Sequence, residues 1–523
     1  MKCYEGAIIS VNENNEVFRY LVEDHGRIVH VGNTLPDIYA EAEKVVLGDR
    51  ALIPSFADSH QHFASFSTFQ AGLNVMDAES NAEISDMIRQ FAAKSKGKTL
   101  ICFGASPYSV KEGRLISREE LDAACPDKEI MVVKYDGHAC VVNSKLLKRM
   151  NKKVKNLRGY HPDTGEMNQE AFFKFSDYIS SSLSLVELFR NMMDAVDFMA
   201  LHGIGMVHTV SGVGFIMNLD ITLEKLFAKS LQNGFQLRVF PQPMNIKVAK
   251  RRKLPRIGGC FESALDGCFG SHDAAMLEPY IDDKGGNGVL YYSDKRVIEF
   301  CKAANRAGLQ IEMHAIGDKA FDQATRALQA ALDDYPRKDH RHGIIHDCLP
   351  TKEGIKICKD YRILMPVQSA FINWKQEPDM YLEMIMGKER CNRLNPIKTF
   401  QNNGIIVSFG SDAPCTSPDP IAWIDKAVNN ANADEAVTVQ DALRMCTFNG
   451  YFTSFDDKER GSLEKGKIAD MVILSDNPYE IPKEEIGNIR VEKLILAGKD
   501  YISAKRSVGK AFLNGLTNRS REY

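Results

Sequence analysis

Short alternating runs open the chain. "GAIISV", "EVFRYLVED", "GRIVHVG" and "KVVLGDRALIPS" switch between apolar and polar positions, and Asn and Gly clusters separate them. Period-two runs broken by turn residues predict hairpin-linked strands. The pattern returns near the other end, in "GSLEKGKIADMVILSDNP" and "VEKLILAGKDYI". The two β-rich ends are expected to pair into one small β-sandwich, residues 1–53 with 456–523, leaving 54–455 as an inserted domain. Pro54 marks the handover.

Within the insert the period changes. Segments 294–308 ("DKRVIEFCKAANRAG") and 318–335 ("DKAFDQATRALQAALDDY") repeat apolar residues at helical spacing. Short apolar runs alternate with them: "LQIEMHAIG", "HGIIHD", "YRILMPVQSA" and "GIIVSFGSDAP". Strand–helix alternation of this length predicts an α/β fold with a parallel sheet covered by helices. A doubly wound sheet would need a Gly-rich phosphate loop, and no convincing one is found. The expected architecture is therefore a (β/α)8 TIM barrel, whose chemistry sits at the C-terminal ends of its strands. Residues 65–185 fit the alternation poorly and are expected to form a lobe over that face.

Composition narrows the function. Among 523 residues the formal net charge is −3 and no long basic run occurs, so nucleic acid has no electrostatic footprint here. No apolar run reaches the roughly 18 residues of a membrane span, and "MKCYEGAIISVNENN" lacks a signal-peptide pattern. Twelve scattered cysteines with no Cys-x-x-Cys pair fit a cytoplasmic protein with reduced thiols. Cys415 stands out only because it follows "GSDAP".

Candidate chemistry lies where apolar runs stop. His60 and His62 close the first, His314 ends "LQIEM", His346 ends "HGII" and Asp412 ends "IIVSFGS". A single histidine at a strand end is more often a satisfied core or loop residue. Four imidazoles and a carboxylate at successive strand ends suit zinc or another divalent transition metal. His138, His208 and His272 lack this register.

These stretches also resemble a family. "PSFADSHQHF", "HAIGDKAF", "RHGIIH", "GSDAPCTSPDP", "VQDALRMCTFNGY" and "GSLEKGKIADMVIL" occur in the order seen in the amidohydrolase superfamily, and "DGHACVVNSKLL" is similar to its YtcJ-like (amidohydrolase-3) branch. The resemblance implies that His60 and His62 bind one metal, that His314 and His346 bind a second, and that Asp412 ligates a metal and acts as general base. It implies a bridging ligand from the fourth strand, a lysine four residues before a strand-terminal Asp-Gly. Here Asp266-Gly267 is preceded at that spacing by Glu262, which takes the bridging role in this reading. Zinc is expected, two ions per chain with the Glu262 bridge and one without it. His138, Glu170 and Gln368 are candidates for substrate binding. Asp318 is expected to cap the helix that follows it, and Gly317 and Gly410 to let the backbone turn.

The implied activity is hydrolysis of a non-peptide amide C–N bond in a small molecule by metal-activated hydroxide. Deamination of an amino-heterocycle is the alternative on the same fold, weakened because no His-x-x-Glu begins at His314. A non-catalytic regulatory or scaffold member is the alternative of another class. A homodimer is expected from the superfamily's habits.

Overall fold

The strand Glu43–Pro54 joins the two ends of the chain. In the computed structural model, which describes residues 1–212, 215–282, 286–504 and 508–518, it pairs in parallel with Lys2–Ile9 on one edge. On the other edge it runs antiparallel to Met471–Leu474, with Leu52 opposite Ile473. The termini thus join as expected, in one hydrogen-bonded sheet of seven strands. Both ladders of Lys2–Ile9 slip beyond Glu5, around Gly6 at φ +146°, and such bulges increase local twist. Alternate side chains face opposite ways. Ala51, Ile53, Val472 and Leu474 join the main core, whereas Leu52, Met471, Ile473 and Ile495 form a separate apolar cluster.

After Ser55, eight strands outside the lobe follow in chain order, parallel within each hydrogen-bonded group. We label them β1 (Phe56–Gln61), β2 (Ile204–Ser211), β3 (Gln236–Pro241), β4 (Arg256–Ala264), β5 (Gln310–Ala315), β6 (Gly343–His346), β7 (Met365–Val367) and β8 (Val407–Phe409). Hydrogen bonds link β1–β2–β3, β4–β5–β6 and β7–β8. An isolated parallel bridge, Gly343 to Leu364, joins β6 to the start of β7. Beyond β8, Asp412 N donates to His60 O at 2.8 Å, and His62 N donates to Ala413 O at 3.0 Å. The last strand end is thereby fastened to the first.

The helical periods locate as read. Asp294–Arg306 and Asp318–Asp334 form, the second burying Ala320, Phe321, Ala324, Leu328 and Ala331 against the core. On β5, Ile311, Met313 and Ala315 join that core, and Gln310, Glu312 and His314 take the opposite face. Asp318 does not cap its helix. Gly317 holds the capping position, and the Asp318 carboxylate accepts from Leu277 N at 2.7 Å.

Residues 65–185 hold more strand than their pattern indicated. Six short strands between Leu73 and Asn168 form a sheet of their own, with helices on both faces. Leu100, Ile130 and Val132 pack toward Ile84, Ile88 and Leu121, and Met131 and Val133 pack toward Leu146, Phe172 and Phe175. Continuous apolar runs such as "EIMVVK" mark strands buried on both faces, which is why no alternation shows. Tyr108 donates to Gly270 O at 2.6 Å and Tyr135 donates to the Glu377 carboxylate at 2.7 Å, tying the lobe to loops beyond the C-terminal strand ends.

Candidate metal centre

Four of the eight strand ends deliver the expected donors to one place. His60, His62 and Asp412 converge from β1 and β8: Asp412 Oδ1 lies 3.1 Å from His60 Nε2 and 3.3 Å from His62 Nε2. His314 and His346 come from the ends of β5 and β6, their rings 4.5 Å apart. All five side chains are buried. Two donors also sit on left-handed backbone, His346 at φ 78° and Asp412 at φ 52°. Bulky residues rarely adopt it, and such strain gathers at functional sites.

Two of the four rings are aimed by a neighbour. The Gln368 carbonyl oxygen lies 2.5 Å from His346 Nδ1, so Nδ1 carries the proton and the Nε2 lone pair is free. The Gly267 carbonyl lies 3.2 Å from His314 Nε2, which leaves Nδ1 as that ring's acceptor. Asp58, one turn of the pleat before His60, accepts from His60 N, Ser411 N and Ser411 Oγ at 3.2, 2.9 and 2.6 Å. It clamps β1 to β8, and burial pushes its carboxyl up to about 7. At Gly410 the constraint is space rather than a turn, since a Cβ there would lie 2.6 Å from His60 N.

The electrostatics suit a cation. Burial lowers the His60 and His346 rings, keeping them neutral as metal ligands must be. Burial alone would raise the Asp412 carboxyl, but the His60 and His62 side chains beside it hold it well below the usual carboxylate range.

The bridging position differs from the sequence reading. Glu262 is exposed, and its backbone carbonyl accepts from the Tyr292 hydroxyl at 2.9 Å. Counting back from Asp266 assumes a regular strand, but the register of β4 against β5 slips between Gly259 and Ala264. Within that bulge Phe261 is left-handed at φ 48°, and the carboxylate is turned outward. Cys260 takes the inward place. Its Sγ lies 3.3 Å from His60 Nε2 and 3.5 Å from His346 Nε2. Candidate ligand atoms of His60, His62, Cys260 and Asp412 all lie within 4.8 Å of one another, as do those of Cys260, His314 and His346. Sequence reasoning passed over this cysteine; the signal was Gly258-Gly259 just before it, at φ +112° and +128°.

The remaining candidates separate. His138 is half-buried, packs 5.5 Å from the Phe261 ring and lines the cavity above the donors. Gln368 serves His346 as described. Glu170 is exposed, bonded to Arg158 at 3.0 Å, and borders a wider outer cleft instead. The cavity, about 140 Å³, is walled by Phe69, Phe103, Phe172, Phe261, Phe371 and Trp374.

The donor set and strand arrangement define a metal-dependent hydrolase. A model described as "Amidohydrolase family" matches residues 45–500, and the chain belongs to that family. It is an enzyme that hydrolyses carbon–nitrogen bonds. It is 24% identical over 490 residues to the amidohydrolase-type protein YtcJ of Bacillus subtilis, covering 88% of this chain and 90% of that one. Identity to the N-substituted formamide deformylase of Arthrobacter pascens is 22% over 537 residues, with 94% and 96% covered. A metal-dependent hydrolase from Pyrococcus furiosus shares the fold, with a TM-score of 0.73 at 23% identity, covering 92% of this chain and 100% of that one. Among the described residues, no helix is long and apolar enough to cross a membrane.

Proposed function

We propose that the chain hydrolyses the amide C–N bond of a small molecule at the mouth of a (β/α)8 barrel, using zinc or a similar divalent ion held by His60, His62, His314, His346 and Asp412. The observation that carries this reading is the pairing of the buried His60 and His62 rings with Asp412 at 3.1 and 3.3 Å. When bound, the metal supplies water acidified toward a pKa of about 7 and polarises a carbonyl oxygen.

Asp412 is kept ionised, so its carboxylate can accept the attacking water's proton and pass it to the leaving nitrogen. His138 lines the cavity wall, and in this reading it contacts the substrate or its developing oxyanion. Gln368 acts through His346 by fixing which nitrogen is free. The aromatic wall takes the apolar part of the substrate and sheds water from the reacting centre.

The test is a screen of metal-reconstituted protein against N-acyl amino acids, N-substituted formamides, cyclic amides and amino-heterocycles, reading free amine and ammonia separately. Release of amine from an amide is expected. Ammonia from a heterocycle alone would replace amidase with deaminase, and protein that neither retains nor responds to zinc, manganese or iron would sink the metal-dependent reading.

A further inference from the structure

We propose that Cys260 is itself a metal ligand, its thiolate shared between two ions in the place expected for a bridging carboxylate. This rests on the metal-dependent reading above and deepens it, because it fixes how many ions the site holds and of which kind.

The donors form two groups, His60, His62 and Asp412 in one, His314 and His346 in the other, and Cys260 belongs to both. Zinc binds nitrogen at about 2.0–2.1 Å and sulfur at about 2.3 Å, so the two stand about 3.5 Å apart around one tetrahedral ion. Cys260 Sγ lies 3.3 Å from a nitrogen of the first group and 3.5 Å from a nitrogen of the second. The sulfur is at ligand-to-ligand spacing from both at once. A cysteine present only as a small hydrophobe would sit among apolar side chains, whereas this one faces ring nitrogens. The bulge in β4 that turns Glu262 outward is what turns Cys260 inward.

On binding, the S–H bond breaks heterolytically. The electron pair stays on sulfur as the ligand pair and the proton leaves to solvent, so no oxidant or reductant takes part. A thiolate also needs no carbon dioxide, unlike a carboxylated lysine. Sulfur favours zinc or cobalt over magnesium, manganese or calcium, so the site should hold two borderline-soft ions.

Full-length protein stripped with chelator and titrated with Co²⁺ tests this. The expected result is two cobalt ions per chain and a near-ultraviolet sulfur-to-cobalt charge-transfer band growing through both equivalents. Cys260→Ser should abolish the band and weaken the second equivalent by more than tenfold, and Cys415→Ser, altering another thiol of the same cavity, should keep both. Cobalt bound without the band, or a band that survives Cys260→Ser, overturns the thiolate while leaving the metal-dependent reading intact. No cobalt bound at all overturns both. Zinc-edge X-ray absorption on the unmutated protein needs no variant: a sulfur shell near 2.3 Å supports the bridge, and a nitrogen- and oxygen-only shell ends it.

Discussion

The chain contains two His-x-His pairs, and they behave in opposite ways. His60 and His62 lie at the C-terminal end of β1 and face a carboxylate and a thiol. His340 and His342 lie just before β6, with ring centroids 4.5 Å apart, close enough to suggest a shared ion. Yet the second pair is spoken for. His342 Nδ1 accepts from Ile311 N at 3.1 Å and Nε2 meets the Asn305 amide oxygen at 3.1 Å. His340 Nδ1 accepts from His342 N at 2.9 Å and Nε2 donates to Tyr361 O at 2.9 Å. In the first pair His60 Nδ1 has no protein partner among the described residues, and the Nε2 atoms of both rings point at Asp412. Spacing does not make a site. The strand end, a convergent anion and unspent lone pairs do.

The contrast can be broken in graded ways. The largest effect is expected from Asp412→Asn, which should lower turnover about 10²–10⁴-fold while metal analysis finds the ions retained; undiminished turnover would take the proton-shuttle role from Asp412. His342→Ala should do the reverse. Losing a buried ring that bridges backbone and Asn305 should cost about 3 kcal/mol in urea unfolding, with metal content unchanged. Metal lost from that variant would erase the distinction between the pairs.

Gln368→Leu addresses the aiming of the first site. It should weaken metal binding about 10–100-fold in chelator competition, and unaltered affinity would make Gln368 a bystander. His208, on β2, sharpens the picture from a third side: it is buried, neither ring nitrogen has a protein partner among the described residues, and burial pushes it down to about 3. The unfolded chain takes up this proton below about 6.5 and the folded chain only near 3, so stability should fall with pH across that window, by about 1.4 kcal/mol per unit. His208→Asn should flatten the slope in chelator-treated protein; an unchanged slope would assign it to other groups. Smallest is Glu262→Ala, expected to leave metal stoichiometry as it was. Loss of an ion there would restore Glu262 as the bridge.

Much of this was legible in one sequence, and the exceptions share a cause. His60, His62, His314, His346 and Asp412 could be read because each ends a short apolar run on a regular strand. Glu262 was misplaced, and Cys260 overlooked, because a bulge changes the inward-facing residue without changing the count along the chain. Glu170 became a pocket candidate through the family resemblance, but its first helical turn points it at Arg158 in solvent. The lobe's sheet was half-seen, since strands buried on both faces lose the alternation that identifies them.

The seam between Glu43–Pro54 and Met471–Leu474 has a consequence for synthesis. A ribosome adding about 5–20 residues per second needs some 20–80 s to travel from one partner to the other. Throughout that interval one edge of the early strand, carrying Ala51 and Ile53, has no ladder to join. The nascent protein must therefore carry an open sheet edge while the strands bearing His314, His346 and Asp412 emerge, and C-terminal truncation before Met471 would leave that edge of an otherwise finished chain without its partner.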